Sequence, residues 1–195
     1  MPIAPPSPPD GLLDETLRVA EDLLPDRLHD ISPRWITYQA SKTSVVPRRL
    51  YILSLDSLLN GDGFAAAEAN GWRSLVILDG VAVALADADV NEDTATIRAM
   101  NYGPFVQGVF EAGVAYDLSD DHRHAAVDGG SPEQRILQIS ALYFTGLWMH
   151  DDANPQRDTL IPIAPAPAGL AANRSRDARE VLQVLRQYGH QKRQQ

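Results

Sequence analysis

Two apolar runs, Trp72 to Leu78 and Val81 to Asp89, flank the dipeptide Asp79-Gly80. A two-residue Asp-Gly link between such runs favours a type I′ turn, whose backbone twist matches that of paired antiparallel strands. The segment therefore reads as a β-hairpin. An undisturbed register sets Leu78 opposite Val81, Val76 opposite Val83, Ser74 opposite Leu85 and Trp72 opposite Asp87. Near the turn both faces are apolar, so both need cover. The face with Ala82 and Ala84 lets a helix approach closely. The face with Val76, Leu78, Val81 and Val83 needs a second layer, from this chain or from another copy. A twofold homodimer through these four residues is the expected form of the second solution.

The rest of the chain supplies helices and more strands. Leu13, Leu17, Ala20 and Leu24 recur at helical spacing after Asp10, and Pro25 is expected to stop that helix. Trp35 to Gln39 and Arg49 to Leu55 read as strands. Asn60 to Gly63 reads as a turn, and Phe64 to Ala69 as a short helix ended by Asn70-Gly71. Thr94 to Met100 is another strand. Gly103-Pro104 opens a helix through Tyr116, because proline suits the first helical position. Gln134 to Met149 reads as one long strand, bulged near Ser140 or Gly146, with a helix as the alternative. Thr159 to Ile163 is a short strand. Asp177 and Glu180 begin a last helix that Gly189 is expected to end.

Hairpin-linked strands interleaved with helices, without regular βαβ alternation, predict an α+β fold. The expected sheet is largely antiparallel or mixed, with helices packed on it, in a single domain over 11–189. The first ten residues hold five prolines and read as a flexible segment. Residues 190–195 read as a polar tail.

Composition narrows the chemistry. The chain has 195 residues, no cysteine and a formal net charge of −9. Thiolate nucleophiles, disulfides, iron–sulfur clusters and Cys-type zinc sites are excluded together. The acidic balance argues against nucleic acid as a partner. No apolar run reaches the roughly 20 residues of a membrane span. The proline-rich start lacks the basic and apolar regions of a signal peptide, so the expected location is cytoplasmic.

No stretch carries a motif specific enough to assign a family. Asp87, Asp89, Asn91 and Asp93 alternate as in a calcium loop, but Glu92 stands where glycine is needed and Arg98 where a bidentate glutamate is needed. His122 and His124 could face one side of an extended segment, with His150-Asp151-Asp152 as a third donor. Two histidines do not make a metal site, and no metal or other cofactor is expected. There is no nucleophile elbow, P-loop or dinucleotide fingerprint. The arginines at 174, 176, 179 and 186 flank the last helix and read as a solvated face.

A small ligand, if one binds, is expected at the strand-to-helix junction. Asn101 and Tyr102 offer side-chain hydrogen bonds, Gly103 clears the approach, and the amides of Phe105 and Val106 with the side chain of Gln107 open the helix. The plainer alternative is an ordinary turn in which Asn101 caps its own backbone. Missing catalytic motifs, a two-faced hairpin and proline-rich edges together suggest a non-enzymatic protein-binding or assembly protein, whose partner is a protein or a second copy. The rival expectation is a small-molecule binder or enzyme with a dispersed site.

Overall fold

A computed structural model describes residues 7–31, 39–91, 94–119 and 132–194. The chain is α+β, with largely antiparallel strands and helices packed on them. The described residues cluster in two compact units, one built from 7–49 and 71–110, the other from 50–70 and 111–194.

In the first unit, α1 (Leu12–Ile31) is followed by β1 (Thr43–Ile52), most of which belongs here. Then come β2 (Glu68–Leu78), β3 (Val81–Asn91) and β4 (Thr94–Asn101), and the unit closes on the first half of α3 (Pro104–Asp117). The β2–β3 hairpin turns at Asp79 and Gly80, with φ of 51° and 80°, the signs a type I′ turn requires. Lys42 braces the turn: its carbonyl accepts from the Asp79 N–H at 3.0 Å, and its Nζ lies 3.3 Å from Asp79 Oδ2.

The register departs from the simple reading two residues beyond the turn. Leu78 faces Val81 and Ile77 faces Ala82, but Val76 then faces Ala84, so Val83 is the extra residue of a β-bulge. Every later pair moves by one. Ser74 lies opposite Ala86, Arg73 opposite Asp87 and Trp72 opposite Ala88, in place of the Ser74–Leu85 and Trp72–Asp87 pairs of an undisturbed ladder. A bulge is tolerated here because Val83 and Ala84 are both apolar and both reach one cluster with Val76 and Leu78.

α1 completes that cluster with Ala20, Leu24 and Leu28. The cover for Val76, Leu78 and Val83 thus comes from this chain, with Val81 half-buried at the margin. The helix differs from expectation in phase and length. Leu12, Thr16, Ala20, Leu24 and Leu28 are buried at strict i, i+4 spacing, whereas Leu13 is exposed. The buried Thr16 hydroxyl is satisfied by the Leu12 carbonyl at 2.7 Å. Pro25 lies inside the helix and does not stop it. It forfeits one backbone bond on the exposed side, while Leu24 and Leu28 on either side of it pack into the core. The expected strand at Trp35 to Gln39 falls mostly outside the described residues.

Asn70-Gly71 ends no helix. Gly63–Ala66 is a short 3-10 turn, and β2 runs through both residues. Gly71 has φ of +86°, and a Cβ there would meet the Ala88 carbonyl oxygen at 2.3 Å. Only glycine combines that conformation with that approach.

In the second unit, α2 (Leu55–Asn60) precedes β5 (Glu133–Ile139), β6 (Phe144–His150), β7 (Thr159–Pro162), β8 (Arg176–Asp177) and α4 (Ala178–Arg193). Strands β5 to β8 pair in chain order, all antiparallel. The expected long strand 134–149 is in fact a hairpin. A 3-10 turn at Ser140–Leu142 reverses the chain, and Tyr143 at φ 51° leads into the return strand. The core holds Leu137, Ile139, Phe144, Trp148 and Leu160 under Val181, Leu182 and Leu185 of α4.

Asp177 caps α4 as expected, accepting from the N–H groups of Arg179 and Glu180. Gly189 does not end the helix, which continues to Arg193. Gly189 is buried, and a Cβ on it would lie 3.1 Å from both Leu55 Cδ1 and Leu59 Cδ2. The glycine marks a close approach of α2 to α4. Among the described residues no helix is long and apolar enough to cross a membrane.

Candidate functional site

The junction 101–107 lies in the first unit. Gly103 takes φ of +95°, and nothing stands within 4 Å of where its Cβ would be. Asn101 does not cap its own backbone; its Nδ2 donates across the sheet to Asp87 Oδ2 at 3.3 Å. The Val106 N–H donates to the Gly103 carbonyl at 3.0 Å, so that amide is spent within the turn. Val106 is buried, Gln107 is exposed, and Phe105 packs against Arg73, whose Cζ is 5.8 Å from the ring centre. Burial pushes the Tyr102 phenol above its usual range, with the Arg27 guanidinium acting the other way. Tyr102 therefore presents a neutral hydroxyl. The Asp87 carboxylate gathers Asn101 and Arg73, with Arg73 Nε donating to Oδ1 at 2.6 Å and Arg73 Nη2 to Oδ2 at 3.0 Å. The forked pair ties β2 to β3.

His122 and His124 lie outside the described residues. Among the described residues no group of three His, Asp or Glu side chains is placed to hold a metal ion. Of the arginines around α4, Arg179 pairs with Asp177 at 2.9 Å, and Arg186 Nε donates to the Leu59 carbonyl at 2.9 Å.

A second cluster lies wholly in the other unit, and the sequence reading gave it only a passing place. In the β5–β6 ladder Glu133 stands opposite His150 and Arg135 opposite Trp148. Trp148 and His150, two apart on β6, share one face. Asp158 joins them from the segment before β7. Its buried carboxylate accepts from the Trp148 indole N–H at 2.7 Å and from the Asp151 backbone N–H at 3.0 Å, and lies 2.8 Å from His150 Nδ1. On the other side of the ring, His150 Nε2 is 2.8 Å from Asp152 Oδ1. Arg135 is bound to Glu133, with Nε 2.7 Å from Oε2, and its guanidinium lies 4.8 Å and 4.9 Å from the ring centres of Tyr51 and Trp148. Phe64 stacks on Trp148 at 4.7 Å.

The buried Asp158 carboxylate holds one ring nitrogen of His150 and leaves the other to meet a second group. That other nitrogen meets Asp152, and no serine or threonine hydroxyl is within hydrogen-bond contact of it among the contacts described. The spacing Trp148-x-His150 with Asp158 eight residues on was the available signal. It is weak, because Arg135 and Glu133 arrive from another strand.

Searches by family model, by sequence among curated proteins and by fold among solved structures find no match to this chain.

Proposed function

We propose that the chain is a non-enzymatic protein-binding protein, with the β5–β6 hairpin tip as a contact point. One observation carries this reading. Tyr143 is 86 % exposed while held at a positive φ of 51°. A bulky L-residue in the left-handed region costs roughly 1–2 kcal/mol, which glycine would avoid. An exposed ring recovers nothing from the core, so the fold gives no reason for tyrosine here. Tyrosine is a favoured anchor in protein interfaces, since it brings large area with few rotatable bonds. Val114 and Leu118, also exposed, add apolar surface in the same unit. Among the described residues, two clusters of ionisable side chains are engaged with one another: Arg73 with Asp87, and His150 with Asp152 and Asp158.

The test replaces Tyr143 with a photo-crosslinking phenylalanine analogue in the native host. The expected result is one dominant protein adduct, identified by mass spectrometry. Tyr143→Gly in the partner-bound sample should abolish the association while the protein stays folded. Crosslinks spread evenly over abundant proteins, or an association indifferent to Tyr143→Gly, would overturn the reading.

The oriented His150–Asp158 pair favours a second reading, a small-molecule binder or enzyme with a dispersed site. It is tested by native mass spectrometry for a co-purifying small molecule that is lost on His150→Gln.

A further inference from the structure

We infer that His150 and Arg135 form a carboxylate-binding subsite, which Asp152 of the same chain occupies in this structure. The inference rests on the His150 cluster and is independent of the hairpin tip.

The two donors are built in. His150 is 14 % exposed and Arg135 is 11 % exposed at the side chain. Asp158 fixes the imidazole, and Asp158 is itself fixed by Trp148 and by the Asp151 amide. Glu133 fixes the guanidinium, which also rests on Tyr51 and Trp148. Neither donor needs Asp152 to hold its position.

The acceptor is of a different kind. Asp152 is 41 % exposed and sits on the turn after β6. One of its oxygens, Oδ1, lies 2.8 Å from His150 Nε2 and 3.8 Å from the Arg135 guanidinium. A ring nitrogen that faces an ionised carboxylate must donate to it. His150 faces one on each side, at Nδ1 and at Nε2. The groups facing it are Asp158, Asp152 and, beyond them, Arg135 with its partner Glu133. Exchange of Asp152 for another carboxylate would leave the local charge unchanged and keep both donors satisfied. The ligand class is therefore a carboxylate, either a small free acid or the chain terminus of a peptide. Asp152 acts as a tethered competitor with a high effective concentration.

The experiment follows the Trp148 indole and His150 ring resonances by NMR, in the intact chain and in Asp152→Ala and Asp152→Asn. Acetate is titrated, with chloride at equal ionic strength and acetamide as controls. Acetate should shift both signals saturably in Asp152→Ala, at a concentration about tenfold or more below that needed in the parent. Acetamide and chloride should not. A short peptide with a free C-terminus and its amide then separate the sources. Tighter binding of the free-acid peptide than of acetate assigns the subsite to a peptide terminus, and preference for acetate assigns it to a small acid. Asp152→Asn should give a smaller gain than Asp152→Ala, since the amide still fills the space. Acetate responses equal in the parent and both variants, or no different from chloride, would overturn the inference. Failure there would leave the Tyr143 crosslinking result untouched, because the two use different residues and different readouts.

Discussion

Arg73 and Asp87 meet across β2 and β3 as a two-pronged ion pair, and they meet only because Val83 is bulged out of the ladder between them and the turn. Without the bulge, Asp87 would face Trp72. The irregularity thus decides a partner several residues away, since one extra residue shifts every later pair.

Removal of one member of this largely buried pair deprives the other of its forked ionic partner. Asp87→Ala and Arg73→Ala are each expected to destabilise the protein by about 2–4 kcal/mol. Asp87→Ala also frees Asn101, so its cost should be the larger. The double change Arg73→Ala with Asp87→Ala should cost less than the two single losses added together, because it leaves no charge without its ionic partner. Urea denaturation of the four proteins forms the cycle. Additive losses in the double variant would show that the two side chains are not coupled.

The limits of the sequence reading follow the same physics. Asp79-Gly80 was legible because a two-residue turn with two positive φ values has few chemical solutions. The bulge was not, because Val83 and Ala84 are both apolar and either parity buries an apolar residue. The β5–β6 reversal was hidden for the opposite reason: Tyr143 takes a left-handed conformation without glycine or asparagine to announce it. Pro25 and Gly189 read as helix ends and are helix interiors, where packing on Leu24 and Leu28, or against Leu55 and Leu59, outweighs local propensity. The strand-to-helix junction was placed correctly, yet its Val106 amide is used internally. The His150 cluster draws on β5, β6 and the segment before β7, so only the pairing of those strands assembles it.

Gly71 tests the tight approach of β2 to β3. Gly71→Ala combines a strained φ with a Cβ driven onto the Ala88 carbonyl oxygen. Backbone atoms cannot turn aside as a side-chain tip can. The expected loss is about 2 kcal/mol or more. Gly80→Ala, at a similar φ with open space around it, should cost less. Thermal melts of the two variants check the order, and equal losses would mean that strain alone accounts for both.

Tyr143 offers a prediction of unusual sign. Tyr143→Gly removes roughly 1–2 kcal/mol of left-handed strain but adds chain entropy to the unfolded state worth about 1 kcal/mol. The expected change lies between none and a gain of about 1 kcal/mol. Tyr143→Ala keeps most of the strain and gains nothing. A calorimetric melt that placed Tyr143→Gly well below the parent would show that the exposed ring contributes to the fold, and would weaken its assignment as a contact residue.

Asp177 couples the start of α4 to pH. Its carboxyl is held below the ordinary range first by the hydrogen bond from the Arg179 side chain; burial pushes the other way, and the backbone N–H groups of Arg179 and Glu180 and the charge of Arg179 lower it further. The folded state therefore favours the ionised form more than the unfolded state does. The stabilisation is fully present above the unfolded carboxyl range, near pH 4, and is lost as pH falls through the lower folded value. Asp177→Ala should cost about 1 kcal/mol at neutral pH, the usual worth of an N-cap. Asp177→Asn keeps an acceptor for the two amides and should cost less at neutral pH. As the pH is lowered below about 4, the gap between the parent and Asp177→Asn should close, because the parent carboxyl takes up its proton there. Denaturant unfolding of the three proteins across that range reads the effect. A gap that stayed constant on acidification would mean that the charge of Asp177 contributes nothing beyond its shape.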